Sequence, residues 1–271
     1  MSHIIPKKSL GQNFLIDENI ARNIIRDLHL TADDVVVEIG PGQGALTKYL
    51  AECARKLIAV EIDGRVVGEL QARFDSTNVT ILHQDFLEFD LHALHAQVDR
   101  KLRLVGNIPY HLTSPILLKA LDERTTLRDF TLMVQREVAQ RLAAKPGTKQ
   151  YGILSVYARF YGKLKVLFTV SPTCFYPKPK VLSAVVQEEL FEQIPHEVDE
   201  QLFRTVVRTS FGKRRKMLRN ALKYLPFEGE VVREIVALSS PLLDKRSEQL
   251  TVEQFVELTN VIAEKSHAAR P

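Results

Sequence analysis

Val35-Val36-Val37-Glu38-Ile39-Gly40-Pro41-Gly42-Gln43-Gly44 is the stretch on which the fold turns. Four of its first five residues are β-branched and apolar, with no alternation, which marks a strand buried on both faces of a parallel sheet. The glycines that follow let the backbone turn tightly and approach a ligand at the carboxyl edge of that sheet. Working outward, strands and helices alternate. Upstream, Asp17 is placed to cap a helix whose Ile20, Ile24, Ile25 and Leu28 recur at helical spacing. Downstream, residues 45–54 read as helix, 57–60 as strand, 66–74 as helix, and 79–82 and 102–105 as strands. Residues 115–121 form a helix opened by Pro115, 130–134 a strand, and 136–144 a helix that Pro146-Gly147 ends. The pattern is an α/β sheet of Rossmann-like type covered by helices.

After a helix at 153–161 the pattern changes. Strands at 164–169 and 181–190 follow one another across a loop carrying Pro172, Pro177 and Pro179, so an antiparallel strand pair is expected at the end of the sheet. Beyond Pro195 only helical patterns remain, at 200–211, 214–225, 230–238 and 252–263. Two domains are therefore expected, 1–192 and a small all-helical 193–271.

Hydrophobic residues make up 45% of the 271 and charged residues 26%, which excludes disorder, collagen and coiled coil as the main state. Two cysteines, Cys53 and Cys174, cannot make a disulfide framework, so a reducing cytoplasmic setting is expected. Polar Gln12, Asn13, Asp17 and Glu18 interrupt any leader-like apolar region, and no apolar stretch approaches the ~18 residues of a membrane span, so no membrane partner is expected. His92 and His95 have no neighbouring ligand types, so no metal is expected. The net charge is +4, but residues 207–224 hold seven basic residues and no acid, and without those seven the chain is at −3. A local basic stripe is the footprint of a polyanion partner. The competing explanation is a solvated helix face.

Glu61 ends the strand after the glycine turn, about 20 residues on, where an acid can accept both hydroxyls of a ribose. Asp85 closes the third strand and Asn107 the fourth, so four successive strand ends form one polar rim. The glycines are spaced G-x-G-x-G, and Ala45 stands where the third glycine of a dinucleotide fingerprint belongs. Two acids with no nearby lysine or arginine disfavour a phosphate and suit a nucleoside with a cationic tail, such as S-adenosylmethionine. A solvated strand-end acid competes as an explanation of Glu61, and a helix cap as one of Asp85.

Asn107-Ile108-Pro109-Tyr110 places an amide, a fixed backbone and an aromatic ring at the fourth strand end. The exocyclic amine of a nucleobase is a poor nucleophile because its lone pair is delocalised. The Asn107 side-chain oxygen and a backbone carbonyl can hold its two hydrogens, Pro109 adds no backbone donor, and Tyr110 can stack on a flipped base. An Asx turn before proline competes.

On these residues the chain resembles the adenine dimethyltransferases that act on ribosomal RNA, and most closely their bacterial small-subunit members. The resemblance covers nearly the whole chain. Lys8-Ser9-Leu10-Gly11-Gln12-Asn13-Phe14-Leu15 is similar to the family's N-terminal signature, 38–44 to its glycine loop, and Phe175-Tyr176-Pro177-Lys178-Pro179-Lys180-Val181 to its proline loop. It implies a Rossmann-like class I methyltransferase sheet with an antiparallel strand pair at its end and a small all-helical C-terminal domain. It implies that Asn13, Leu15, Gly40, Gly42, Glu61, Asp85 and Asn107 hold S-adenosylmethionine, with no metal. Asn107, Pro109 and Tyr110 would form the target pocket, with Phe175 flanking the base opposite Tyr110. A core anchor is the competing role for Phe175. The substrates implied are two adjacent adenosines near the 3′ end of small-subunit rRNA in a pre-assembled subunit, and a monomer is expected.

Phe211-Gly212-Lys213-Arg214-Arg215-Lys216-Met217-Leu218-Arg219-Asn220 is similar to a segment of the small-subunit enzymes rather than of the large-subunit resistance methylases. Lys213, Arg214, Arg215, Lys216, Arg219 and Lys223 are the expected RNA contacts, with Arg215, Arg219 and Lys223 on one helical face. A large-subunit rRNA methylase, a ribosome-assembly factor with secondary catalysis and, distantly, a dinucleotide oxidoreductase stay open as alternatives.

Overall fold

The unbroken apolar runs do become strands buried on both faces. The computed structural model describes residues 5–74 and 78–268. In chain order its elements begin β1 (Phe14–Leu15), α1 (Glu18–Leu28), β2 (Val35–Ile39), α2 (Thr47–Cys53), β3 (Lys56–Glu61) and α3 (Gly64–Arg73). There follow β4 (Val79–His83), α4 (Leu91–Val98), β5 (Leu102–Asn107), α5 (Thr113–Asp122), β6 (Leu127–Gln135) and α6 (Arg136–Ala143). Then come α7 (Ile153–Tyr161), β7 (Gly162–Val170), β8 (Phe175–Tyr176) and β9 (Ser183–Leu190). The chain continues through α8 (Glu200–Gly212), α9 (Leu218–Ala221), α10 (Gly229–Ala237) and α11 (Val252–Ala268). It divides into two units, residues 1–139 with 162–192, and 140–161 with 193–271.

In the first unit the seven-stranded sheet has the order β4-β3-β2-β5-β6-β9-β7. The first five strands are parallel, and β9 pairs antiparallel with both β6 and β7. Strand order reverses between β2 and β5, which opens a crevice at their carboxyl ends. Ala21, Ile24 and Leu28 of α1 and Leu50 of α2 cover Val36, Leu57 and Val105 of the sheet. Val66, Val67 and Leu70 of α3 cover Ala59 and Ile81. Asp17 caps α1, accepting from the Asn19 and Ile20 amides at 2.9 and 3.2 Å. At the other end of α1, buried Arg103 of β5 donates to the Leu28 carbonyl (2.7 Å) and pairs with Asp34 (3.0 Å) and Asp129 (2.8 Å). Removing one partner from such a buried cluster costs about 3–5 kcal/mol. Nothing in the sequence pattern indicated the two-stranded sheet β1-β8, in which Phe14 pairs with Tyr176 and Leu15 with Phe175.

The second unit is helical, and residues 140–161 belong to it, so the expected division at 192/193 needs correction. The reason is aromatic packing and loop bonding. Phe160 of α7 stacks on Phe203 of α8 with centroids 4.0 Å apart, Arg204 donates to the Tyr161 hydroxyl at 2.5 Å, and the Gly147 amide donates to the Glu248 carbonyl at 2.7 Å. The expected helix at 214–225 is also corrected. Residues 213–217 form a turn, α9 is four residues long, and a short 3-10 helix takes Leu222–Tyr224. Met217 bridges to Arg246, and the Leu218 amide donates to the Lys245 carbonyl at 2.8 Å, so the backbone is extended at Met217 and interrupts the expected helix there. In a continuous helix the like charges of Lys213/Lys216 and Arg215/Arg219 would also face one another with no acid to compensate them. No helix among the described residues is long and apolar enough to cross a membrane.

Candidate active site

The crevice between β2 and β5 collects almost every residue of the predicted rim. Asn13, Leu15, Gly40, Gly42, Glu61, Asp85, Asn107, Pro109 and Tyr110 all line one cleft. β2 delivers the glycine turn, β3 ends on Glu61, β5 ends on Asn107, and β1 brings in the N-terminal signature. Among the lining residues there is no lysine or arginine.

The glycine turn is built to be approached. Gly40 has φ +60° and nothing within 4 Å of where a Cβ would stand. Gly42 has φ +53°, and a Cβ there would lie 2.8 Å from Phe14 Cδ1, so the turn and the N-terminal signature are packed together by the absence of a side chain.

Glu61 is 4% exposed. Its Oε2 accepts from the Gly42 amide (3.2 Å) and its Oε1 from the Asp63 amide (2.9 Å). Burial raises its pKa, and those two amides pull it back. The solvated-acid explanation does not hold, and the carboxylate sits fixed at the strand end with acceptor capacity left over. Asp85 has both characters: its Oδ1 caps a short 3-10 helix by accepting from the Leu87 amide at 2.8 Å, and it lines the cleft. Beside it, Ile62, Phe86 and Leu87 add an apolar wall.

Asn107 is oriented by the N-terminal signature. Its Nδ2 donates to the Asn13 backbone carbonyl at 2.9 Å, which commits the amide's donor end and leaves Oδ1 as acceptor. Tyr110 is half-buried, with its hydroxyl 2.7 Å from Ser183 Oγ, and burial raises its pKa. That bond fixes the ring and leaves its face as the functional surface.

Phe175 requires a correction. It is 1% exposed and packs in the core with Leu15, Met133, Val170 and Val185, so its ring does not line the cleft. The core-anchor role is the one observed, and the exposed ring of the proline loop is Tyr176, at 60%.

Several lining residues escaped the sequence reading. Gln12 Nε2 donates to Asp63 Oδ2 (3.2 Å) and accepts at Oε1 from the Lys7 amide (2.8 Å), while Arg65 Nη2 pairs with Asp63 Oδ2 (2.6 Å). Asp63 is buried, and the Arg65 guanidinium holds its carboxyl well below the usual carboxylate range. This latch ties residues 7–12 to the end of β3. Its only sequence signal was Gln12 within the quoted signature. Glu38 is the one acid of the β2 run. It is 2% exposed, lines the cleft, and its Oε2 has no hydrogen-bond partner. Burial, reinforced by the Glu61 charge, pushes its pKa up to about 8.

An unpartnered carboxylate oxygen in the cleft floor is what a cationic amino-acid tail would satisfy. Glu61 and Asp85 offer acceptors for a ribose and an exocyclic amine, and nothing on the lining answers a pyrophosphate. The residues therefore fit S-adenosylmethionine and do not fit a dinucleotide. No group of three or more His, Cys, Asp or Glu side chains among the described residues could hold a metal ion.

A switch-point cleft with this donor and acceptor set, on this sheet, defines a Rossmann-like class I methyltransferase. Comparison with known proteins narrows the class: the pattern of the ribosomal RNA adenine dimethylases matches residues 5–264, and the chain belongs to that family. It is 45% identical over 271 residues to a ribosomal RNA small subunit methyltransferase A from Geobacillus kaustophilus, covering 95% of this chain and 91% of that one. A protein of the same name from Alkaliphilus oremlandii is 40% identical over 264 residues, covering 95% and 92%. Among solved structures, a dimethyladenosine transferase from Plasmodium falciparum superposes with TM-score 0.78 at 24% identity, covering 93% and 98%, and shows the shared fold. The 23S rRNA methyltransferase ErmE superposes with TM-score 0.67 at 25% identity, covering 92% and 100%.

Proposed function

We propose that this protein dimethylates the exocyclic amines of two adjacent adenosines near the 3′ end of small-subunit rRNA, within a pre-assembled subunit. S-adenosylmethionine supplies an electrophilic methyl on a sulfonium centre, so the chain contributes alignment and polarisation. Glu61 and Asp85 would hold the nucleoside, and Glu38, with the backbone of Gly40 and Gly42, would receive the amino-acid tail. Asn13 and Leu15, which line the same cleft, would touch the cofactor's methionine end and its adenosine.

The observation that carries the reading is the bond from Asn107 Nδ2 to the Asn13 carbonyl. With one N–H of Nδ2 held, the amide is oriented so that Oδ1 is available to the target as an acceptor. Oδ1 and a main-chain carbonyl of the 107–110 turn bind the two amine hydrogens and draw the nitrogen lone pair out of conjugation. Pro109 adds no competing donor, and Tyr110 stacks on the extruded base. The nitrogen–carbon bond forms as the carbon–sulfur bond breaks. The resulting arylammonium is acidic and gives its proton to water, and the cycle repeats on the same nitrogen.

Small-subunit rRNA is favoured over large-subunit rRNA by the relatives at 40–45% identity. The helical unit, 140–161 with 193–271, is read as the RNA-binding part, acting through Lys213, Arg215, Lys216 and Lys223. The protein is read as a cytoplasmic monomer, the setting in which subunits are assembled. The test is mass spectrometry of rRNA from cells lacking this chain, followed by methylation of their small subunits by the purified protein. Loss of dimethyladenosine in the cells and its restoration in vitro are expected; marks retained in full would refute the reading.

A further inference from the structure

The acid-free run at 207–224 holds two cations tied to carboxylates and carbonyls inside the helical unit and four that have no carboxylate partner among the described residues. Arg214 donates to Glu248 Oε2 (2.6 Å) and to the Lys149 carbonyl (2.7 Å). Arg219 donates to the carbonyls of Val236 and Leu238 and to Asp244. Lys213, Arg215, Lys216 and Lys223 have no carboxylate within 4 Å among the described residues.

Two of these four cations converge on one ring. Lys213 Nζ lies 4.4 Å and Lys216 Nζ 5.1 Å from the centroid of Tyr224, and Lys216 Nζ donates to the Tyr224 hydroxyl at 3.2 Å. The ring is nevertheless 54% exposed. A large aromatic surface left in water beside two ammonium groups, with no acid near them, combines the two elements of single-strand recognition: a π-face for a base and cations for the phosphates beside it. A duplex hides the faces of its bases, and an acidic peptide would use the cations without needing the ring.

We propose that Tyr224 is a stacking platform for one unpaired base of RNA, with Lys213 and Lys216 holding the phosphates on either side. The proposal rests on rRNA being the substrate and adds a specific contact outside the catalytic cleft.

The test measures binding of the full-length protein to a labelled single-stranded RNA of twelve nucleotides and to a duplex of the same length. Tyr224→Ala and Tyr224→Leu are each expected to weaken single-strand binding about 5- to 100-fold, while duplex binding stays within about twofold. Tyr224→Phe, which keeps the ring, is expected to bind like the parent. Stacking is not a counterion effect, so Tyr224→Leu should leave the slope of log K against log salt unchanged. The double change Lys213→Gln/Lys216→Gln should flatten that slope by about 1.4 for the single strand. Single-strand affinity unchanged in both the alanine and leucine variants would overturn the proposal. So would equal losses on both RNAs, or a phenylalanine variant as weak as alanine. If the parent bound neither RNA, the rRNA reading would fall first and this proposal with it, an outcome distinct from the others.

Discussion

The cleft and the basic segment were equally conspicuous as sequence, yet spacing translated into geometry in only one of them. In the cleft each functional residue stands at or just beyond a strand end, and pairing of β3, β2 and β5 in register puts Glu61, the glycine turn and Asn107 along one edge. In the basic segment the four-residue spacing of Arg215, Arg219 and Lys223 presupposed a helix that the backbone does not form. A motif is readable when the element carrying it is held by many neighbours, and much less so when its own conformation is open. Parallel strands are held by every ladder bond beside them, whereas like charges three or four residues apart, as at Lys213/Lys216 and Arg215/Arg219, oppose the helix that would carry them.

The largest effect expected from this contrast is at Asn107. Asn107→Ala should lower the rate of methyl transfer by about 10²–10³-fold, since it removes a preorganised contact to the reacting group. Cofactor affinity measured by calorimetry should change far less. Comparable losses of affinity and rate would mean that the strand end serves binding more than chemistry.

Next comes Glu38. With its pKa pushed up to about 8 by burial, it is mostly protonated at neutral pH, whereas the proposed contact to a cationic tail needs the carboxylate. Cofactor affinity should therefore rise with pH from about 6, by up to about tenfold per unit, pass through a maximum near 8, and fall above it as the tail's own ammonium, with an ordinary pKa of about 8, loses its proton. Binding at pH 7 should release a proton, seen as a calorimetric enthalpy that varies with the buffer, and Glu38→Gln should abolish both the rise and the release. The sign for folding is the reverse. A carboxyl whose pKa is raised in the folded state stabilises the fold below its unfolded value, and that stability is lost as pH climbs towards 8.

A smaller effect, about tenfold in cofactor affinity, is expected from Asp63→Ala, which frees Gln12 and Arg65 from the latch. Turnover at saturating cofactor should change less than twofold, and a collapse of turnover would make Asp63 part of the chemistry. The smallest effect concerns the basic segment. Arg214→Ala should lower the melting temperature by about 2–6 °C, because it removes the tie to Glu248 and the Lys149 carbonyl, whereas Arg215→Ala should stay within about 1 °C. In RNA binding the order should invert, with Arg215→Ala flattening the salt slope. Equal behaviour of the two would erase the division between internal and available cations.

Much of the sheet was legible because its strands are uninterrupted apolar runs, and the rim because glycines, Glu61, Asp85 and Asn107 close those runs. Phe175 was not. Phe175 and Tyr176 are neighbours on a strand, so one ring must face inward and the other outward, and pattern alone does not say which. Residues 140–161 were misassigned because a unit made from two separate lengths of chain leaves no mark in linear composition; the stacking of Phe160 on Phe203 decides it. The Gln12–Asp63 latch was invisible because it depends on where a short polar segment lies in space rather than on any periodicity.

The two residues of β1 have a reach out of proportion to their length. They anchor the proline loop, seat Phe14 against Gly42, and follow directly on the carbonyl that aims Asn107. A protease nick just ahead of Phe14 would thus undo the wall of the donor site and the aim of the acceptor site together. Such a chain could keep its sheet and its melting curve and still be inert.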